Sequence, residues 1–268
     1  MTETFTCMTC FKEGAPSSYS IPPTTQRGFL TKCPKGHAVV VIFQASGWAR
    51  LFERGLERIV LGDHRDAVLD IYTAFEMYLA EVPVRARYER ESGASPTKVR
   101  AELKRTVSRA ELAIGAARAS ASVVSGKPEI TWSEEKTTKV RNEAIHSGVY
   151  PTEEKALELC EEVERTILEF ERTFDALPCV NPCRYHEAIW REEVDDLQRA
   201  HPGIPSTFAC GWDIFQWYPT TQPHVAALTR IEEYRKHPRT ELRALLDAWV
   251  AAATLPAVAP ADPAAGTS

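Results

Sequence analysis

The segment Lys139-Val140-Arg141-Asn142-Glu143-Ala144-Ile145-His146-Ser147-Gly148 carries the side chains best suited to chemistry. Arg141 offers a planar fork of donors that fits phosphate oxygens, and His146 can give or take a proton near neutral pH. Asn142 and His146 are four residues apart, so on a helix they share one face, with Arg141 flanking it. Gly148 is a natural helix stop just beyond the histidine. A cation, an amide and an imidazole at one helix end suit a site that holds a phosphate and moves a proton beside it.

A second group of residues suits a metal. Cys7-x-x-Cys10 is followed by a loop through Pro16, Pro22 and Pro23, and then by Cys33-Pro34-Lys35-Gly36-His37. Thiolate and imidazole are ligands that zinc takes in a closed tetrahedron, and a turn at Gly36 brings His37 back toward Cys33. CxxC paired with CxxxH is more specific than either half, so zinc outweighs a reading as surface thiols with His37 in a turn. The segment resembles a zinc ribbon of the Cys3His type. Its core is too small to fold unaided, so a structural zinc would supply much of its folding energy. Cys179, Cys183, His186 and Cys210 have irregular spacing and read as buried or loop thiols rather than a second metal site.

The motif Arg141-Asn142-x-x-x-His146 resembles the signature of the HEPN family. Two flanks extend the likeness. Gly148-Val149-Tyr150-Pro151 and the acids after it are similar to the family's turn into its last long helix. Arg65-Asp66-Ala67-Val68-Leu69-Asp70-Ile71-Tyr72-Thr73-Ala74-Phe75-Glu76 is similar to its early core helix. The resemblance implies a compact helical bundle and, in many members, a metal-independent endoribonuclease that works as a homodimer with a composite site. It further implies a toxin or phage-defence role with an antitoxin or defence-system partner. Some HEPN toxins carry a tyrosine two residues after the histidine for an antitoxin to modify. Gly148 stands there in this chain, and Tyr150 lies further on.

These side chains need elements to position them. Residues 1–45 read as the zinc-ribbon-like segment, with the β-rich run Ala38–Phe43 behind the second knuckle. Residues 46–178 read as the HEPN-like bundle. Its first helix carries the stripe Trp48, Leu51, Phe52, Leu56, Ile59 and Val60 and breaks at Gly62-Asp63. A second helix, with Val68, Leu69, Ile71, Tyr72, Phe75, Leu79 and Val82 as its buried side, is expected to stop at Pro83. Glu76 on this helix either points outward, the more common fate of a lone acid, or supports Arg141 across the bundle.

Pro96 starts another helix, and residues 110–124 form one rich in alanine. The signature helix runs from near Trp132, with Val140 and Ile145 as core contacts. The last bundle helix runs from Pro151 to near Leu177. Residues 179–255 read as an aromatic-rich helical region, with helices over 187–199, 223–236 and 240–253. Its cluster Phe208, Trp212, Phe215, Trp217 and Tyr218 fills a core more readily than it stacks bases. Residues 256–268, rich in Ala and Pro, read as a disordered tail. The fold class is therefore mainly α, with a small N-terminal β ribbon and a C-terminal helical extension.

Composition limits the partners. A net charge of −5 gives no general pull toward nucleic acid, so an RNA site must be a local basic patch. Lys98, Arg100, Lys104 and Arg105 form the best candidate, although a solvated helix face is the commoner outcome for such a run. No apolar run reaches the length of a membrane span. The N-terminus lacks the regions of a signal peptide, and seven cysteines, an odd number, argue against a closed disulfide framework. Both point to the cytoplasm. The leading functional expectation is an RNA-cutting dimer using Arg141, Asn142 and His146. The alternative is a non-catalytic RNA- or protein-binding scaffold that uses the ribbon and the C-terminal aromatic region.

Overall fold

The apolar run Val39–Phe43 is buried along its whole length, and its alternating side chains have two different partners. The computed structural model describes residues 3–15, 18–21, 28–43, 45–91, 95–126, 128–175, 184–209 and 226–236. In it, β1 (Glu3–Thr6), α1 (Met8–Lys12), β2 (Ser18–Ile21), β3 (Gly28–Lys32) and β4 (Ala38–Phe43) make up the N-terminal part. β1 pairs antiparallel with β2, Phe5 opposite Tyr19, and β3 pairs antiparallel with β4, Thr31 opposite Val39. Val39, Val41 and Phe43 pack toward the cluster of Cys7, Cys10 and Cys33. Val40 and Ile42 pack on the other face against Trp190, Val194 and Leu197. A strand covered on both sides reads as a continuous apolar run.

The helices follow. α2 (Gly47–Leu61) is N-capped by Ser46, whose hydroxyl accepts the Ala49 N–H at 3.3 Å, and it ends at Gly62 in the left-handed region. Every member of its expected stripe is buried. α3 (His64–Arg90) packs against it so closely at Gly55 that a Cβ there would sit 2.5 Å from Ile71 Cγ1. α4 (Pro96–Glu102), α5 (Lys104–Val107) and α6 (Ala110–Ser125) come next, and α6 lays Ala113, Ala117 and Ala121 onto the bundle core. A π-helical turn, Glu135–Lys139, leads into α7 (Val140–His146). α8 (Glu153–Asp175) buries Leu159, Val163, Ile167, Phe170 and Phe174.

α3 does not stop at Pro83. It continues a further seven residues to Arg90, although proline cannot donate to the carbonyl one turn back. Burial offsets the lost bond. Val84, Ala86 and Tyr88 are all inside, and Arg85 forms a buried ion pair with Glu171 of α8, which also accepts the Tyr78 hydroxyl at 2.6 Å. Ile145 is only half-buried, and Ala144 takes the core position expected of it.

The chain after α8 returns to both ends of the structure. α9 (Arg184–Ala200) sets Tyr185 and Ile189 against Val84, Tyr88 and Val99, and Val194 against the sheet. β5 (Ser206–Ala209) adds to β4 in parallel, Val41 opposite Thr207, so the sheet order is β3-β4-β5. The sequence reading has no strand there. α10 (Ala227–Lys236) is fixed by its first residue, whose N–H donates to Glu164 at 2.8 Å, and by the buried Arg230–Glu53 pair at 2.8 Å. Met1–Tyr234 form one compact unit and Arg235–Ser268 a second, of which only Arg235 and Lys236 are described. Cys179, Cys183, Cys210, Trp212, Phe215, Trp217, Tyr218, the expected helix 240–253 and the tail lie outside the described residues. The fold is mainly α with a small β region. No helix among the described residues is long and apolar enough to cross a membrane.

Candidate functional site

The signature residues stand on α7, Arg141 and Asn142 in its first turn and His146 at its last residue, directly after the π-helical turn. Ser133 anchors that turn: its N–H donates to Glu162 at 2.7 Å, and its carbonyl accepts the Thr137 hydroxyl at 2.8 Å. The wider turn carries Thr138 to the Tyr72 hydroxyl on α3, 3.2 Å away. Three residues on, Arg141 is half-buried with its guanidinium carbon 5.6 Å from the Tyr72 ring centroid. Its Nη1 donates to Asn142 Oδ1 at 2.9 Å. Asn142 and His146 are exposed on the same face of α7. The helix is tied to α3 by Arg65, whose Nε donates to the Ala144 carbonyl at 3.0 Å. It ends at Ser147, with Gly148 at a φ of 65°, where L side chains are strained.

Glu76 lies one turn after Tyr72 on α3 and is half-buried beside Arg141 without a direct ion pair. Burial raises its carboxyl pKa, and the Arg141 charge opposes that rise. Burial also raises the Tyr72 phenol, while Thr138 and Arg141 act the other way. A depression of about 510 Å³ lies beside these residues; Glu134, Thr138, Asn142, Glu143 and Ser147 are among its lining, and Arg141 and His146 are not. Its acids are matched: Glu135 pairs with Lys139, Glu143 with Lys155 at 2.9 Å, and Glu134 with Arg118 at 3.7 Å. Lys155 lowers the Glu143 carboxyl. The arrangement leaves His146 exposed and Arg141 half-buried, with Glu76 beside the arginine and the acids of the depression paired to other cations.

The cationic run sits elsewhere. Lys98, Lys104 and Arg105 are exposed, but Arg100 is drawn to Glu81 of α3 at 3.1 Å. Glu81 is nine residues beyond Tyr72, about 14 Å along the helix.

The cysteine–histidine group is brought together. Cys7 caps α1 and Cys10 follows one turn later, with the Phe11 N–H donating to the Cys7 carbonyl at 2.9 Å. The second knuckle closes through Cys33 N–H to the His37 carbonyl at 2.9 Å and Gly36 N–H to the Cys33 carbonyl at 2.8 Å. Gly36 has a φ of 88°, which a side chain would resist. His37 Nδ1 lies 3.3 Å from Cys10 Sγ and 3.8 Å from Cys7 Sγ, and Cys10 Sγ lies 3.7 Å from Cys33 Sγ. A tetrahedral ion with metal–sulfur bonds near 2.3 Å and metal–nitrogen bonds near 2.0 Å has edges of about 3.5 to 3.8 Å between its ligands. All four ligand atoms fall within 4.8 Å of one another, and the three cysteines are buried, free thiols. The group can hold a metal ion.

Two further features fit that role. Burial raises the Cys7 thiol, but hydrogen bonds from the Cys10 N–H and the side chains of His37, Cys10 and Cys33 outweigh it and bring it down to about 6. The thiolate is the ligating form. The other imidazole nitrogen, Nε2, faces a Glu13 carboxylate oxygen at 3.6 Å, an arrangement that orients a ligating histidine. His186, a member of the irregular second group, instead lies with Nε2 3.8 Å from the buried Glu171 carboxylate.

Sequence reasoning missed Tyr72 as a support for Arg141, Thr138 as its partner, and Glu13 beside His37. Tyr72 had a legible signal, because it stands one helical turn before Glu76. Glu13 had none, since its meeting with His37 spans two knuckles. Searches against known families, curated proteins and solved structures gave no match to this chain.

Proposed function

We propose that this chain is a metal-independent endoribonuclease of HEPN type, with Arg141, Asn142 and His146 as its working residues. The observation that carries the reading is their common placement: an arginine held against Tyr72, its neighbouring amide, and an open imidazole one turn on, all on the short helix α7. The reaction uses the substrate's own 2′-hydroxyl. A base takes the 2′ proton as that oxygen attacks the adjacent phosphorus, the bond to the 5′ oxygen breaks, and an acid protonates the leaving oxygen. Products are a 2′,3′-cyclic phosphate and a 5′-hydroxyl end. Arg141 stabilises the charge that develops on the phosphate, and Asn142 orients that phosphate or the arginine it already bonds. One imidazole does not readily serve both sides of one phosphorus, so two protomers join their α7 ends into a composite cleft.

The metal held by Cys7, Cys10, Cys33 and His37 is zinc on this reading. Three thiolates and an imidazole make a closed set, so the ion stabilises the knuckles and takes no part in chemistry. The protein works in the cytoplasm as a toxin or defence effector restrained by a partner protein. End-group analysis tests the reaction type. Fragments ending in a 2′,3′-cyclic phosphate support it, whereas 3′-hydroxyl ends contradict it. A second reading, a non-catalytic scaffold, is favoured by one observation, that the four atoms of the metal group come together within one chain.

A further inference from the structure

Phe11 is 60% exposed, although it stands one residue from a buried cysteine. α1 divides its residues between two faces. Cys7 and Cys10 turn inward to the metal group, while Met8, Phe11 and Lys12 face out. The ring is therefore held in water on a turn that ligation fixes, and it gives up the apolar burial that Phe43 gains behind the same cluster. Two cations belong to the same turn. Lys12 is the neighbour of Phe11. Lys35 reaches across from the second knuckle, its Nζ donating to the Ala15 carbonyl at 3.0 Å, and the Ala15 N–H bonds the Cys10 carbonyl at 3.0 Å. That brings the second ammonium to the end of α1 that carries Phe11. The acid in this turn, Glu13, is directed at His37 instead. Charge is also segregated along the chain: residues 1–45 hold four cations and two acids, whereas the whole chain stands at −5.

An exposed aromatic ring with one lysine beside it in the chain and a second at the end of its turn matches a base with its flanking phosphates. We infer that this outer face of the first knuckle binds single-stranded RNA, with a base stacked on Phe11 and flanking phosphates on Lys12 and Lys35. The inference rests on the reading of the chain as an RNA-acting protein. It adds a docking face separate from the α7 residues.

Fluorescence anisotropy with the full, metal-loaded chain and a labelled 2′-O-methyl oligouridine, which cannot be cut through its 2′ oxygen, tests it. Phe11→Ala and Phe11→Leu weaken binding about tenfold, and Phe11→Trp retains it. Lys12→Gln and Lys35→Gln each reduce the slope of log affinity against log salt by about 0.7. Metal content is measured on each variant. If Phe11→Ala loses metal, the Leu and Trp variants decide. Wild-type affinity in Phe11→Leu, or no binding by wild type at low salt, overturns the inference. Unmodified RNA separates it from the nuclease reading. Binding through Phe11 without cleavage keeps the docking face and removes the nuclease. Cleavage by wild type with Phe11→Leu unchanged in affinity does the reverse.

Discussion

Arg141 and Tyr72 meet across the bundle: the guanidinium carbon of one lies over the ring of the other, 5.6 Å from its centroid. The ring in turn is held by Thr138, from the π-helical turn that precedes Arg141. The arginine is thus positioned by two elements at once, and its Nη1 also donates to Asn142 Oδ1 at 2.9 Å. Arg141→Ala should slow RNA cleavage about a hundredfold, and Arg141→Lys should recover only part, because lysine keeps the charge and loses the fork. Tyr72→Phe keeps the ring and should keep most of the rate, whereas Tyr72→Leu should not. Initial cleavage rates of the four variants check this. Equal rates for Arg141→Ala and wild type would remove the arginine from the mechanism.

The metal group makes a separate prediction. One ion per chain should be found in fresh protein, and Cys33→Ser should lower that stoichiometry and the melting temperature together. Glu13→Gln should leave stoichiometry at saturation unchanged while weakening affinity ten- to a hundredfold, since it touches only the far side of the His37 ring. Chelator competition measures both. An undiminished affinity in Glu13→Gln would show that the carboxylate does not orient His37.

Most of the bundle can be read from the chain because its signals are local. The α2 stripe, the Gly62 stop and the Pro96 start each depend on residues within a turn or two of one another. The metal group is legible for a similar reason: each knuckle is a short turn with its own pair of ligands. What escaped depends on distance or on packing. β5 is four residues long and gains its place by pairing with a strand more than 160 positions earlier. Pro83 looks like a stop until the burial of Arg85 and Tyr88 beyond it is known. Nothing in Glu135–Lys139 announces a π-helical turn, and without that turn the Tyr72–Thr138–Arg141 arrangement cannot be placed.

Acid should loosen the junction of α3, α8 and α9. The buried Glu171 is raised by desolvation, but Arg85, His186 and Tyr78 outweigh this and bring it down to about 2. Its folded value lies below its unfolded one, so its contribution is present above about pH 4.5 and is lost as pH falls toward 2. Its size is about 3 kcal/mol. His186 is lowered chiefly by burial, against the pull of Glu171. It stays neutral in the fold, so its protonation also costs stability as pH falls below its ordinary value. Urea midpoints should therefore decline gently below about pH 6.5 and steeply below about pH 4.5. Glu171→Gln should flatten the steep part and lower stability at neutral pH by about 3 kcal/mol or more, because it leaves Arg85 buried without its charge partner. A Glu171→Gln profile parallel to that of wild type would refute this account of the junction.

Assembly bears on the same site. If two α7 ends make one cleft, activity per chain should fall on dilution through the dimer dissociation range, and adding an excess of His146→Ala protomers should lower the activity per wild-type chain, because a mixed cleft holds one imidazole. Sedimentation velocity run alongside the assay supplies the comparison. A monomer that cuts RNA at an undiminished rate on dilution contradicts the composite cleft.

The most direct test is the initial rate of RNA cleavage by wild type and His146→Ala in the presence of EDTA. His146 is exposed at the end of α7, so its removal should leave the circular dichroism spectrum and melting temperature unchanged. The account predicts that wild type cuts RNA in EDTA on short incubation, leaves DNA intact, and loses about a hundredfold or more in rate when the imidazole is removed. Equal rates for the two proteins, or DNA cut as readily as RNA, would contradict it.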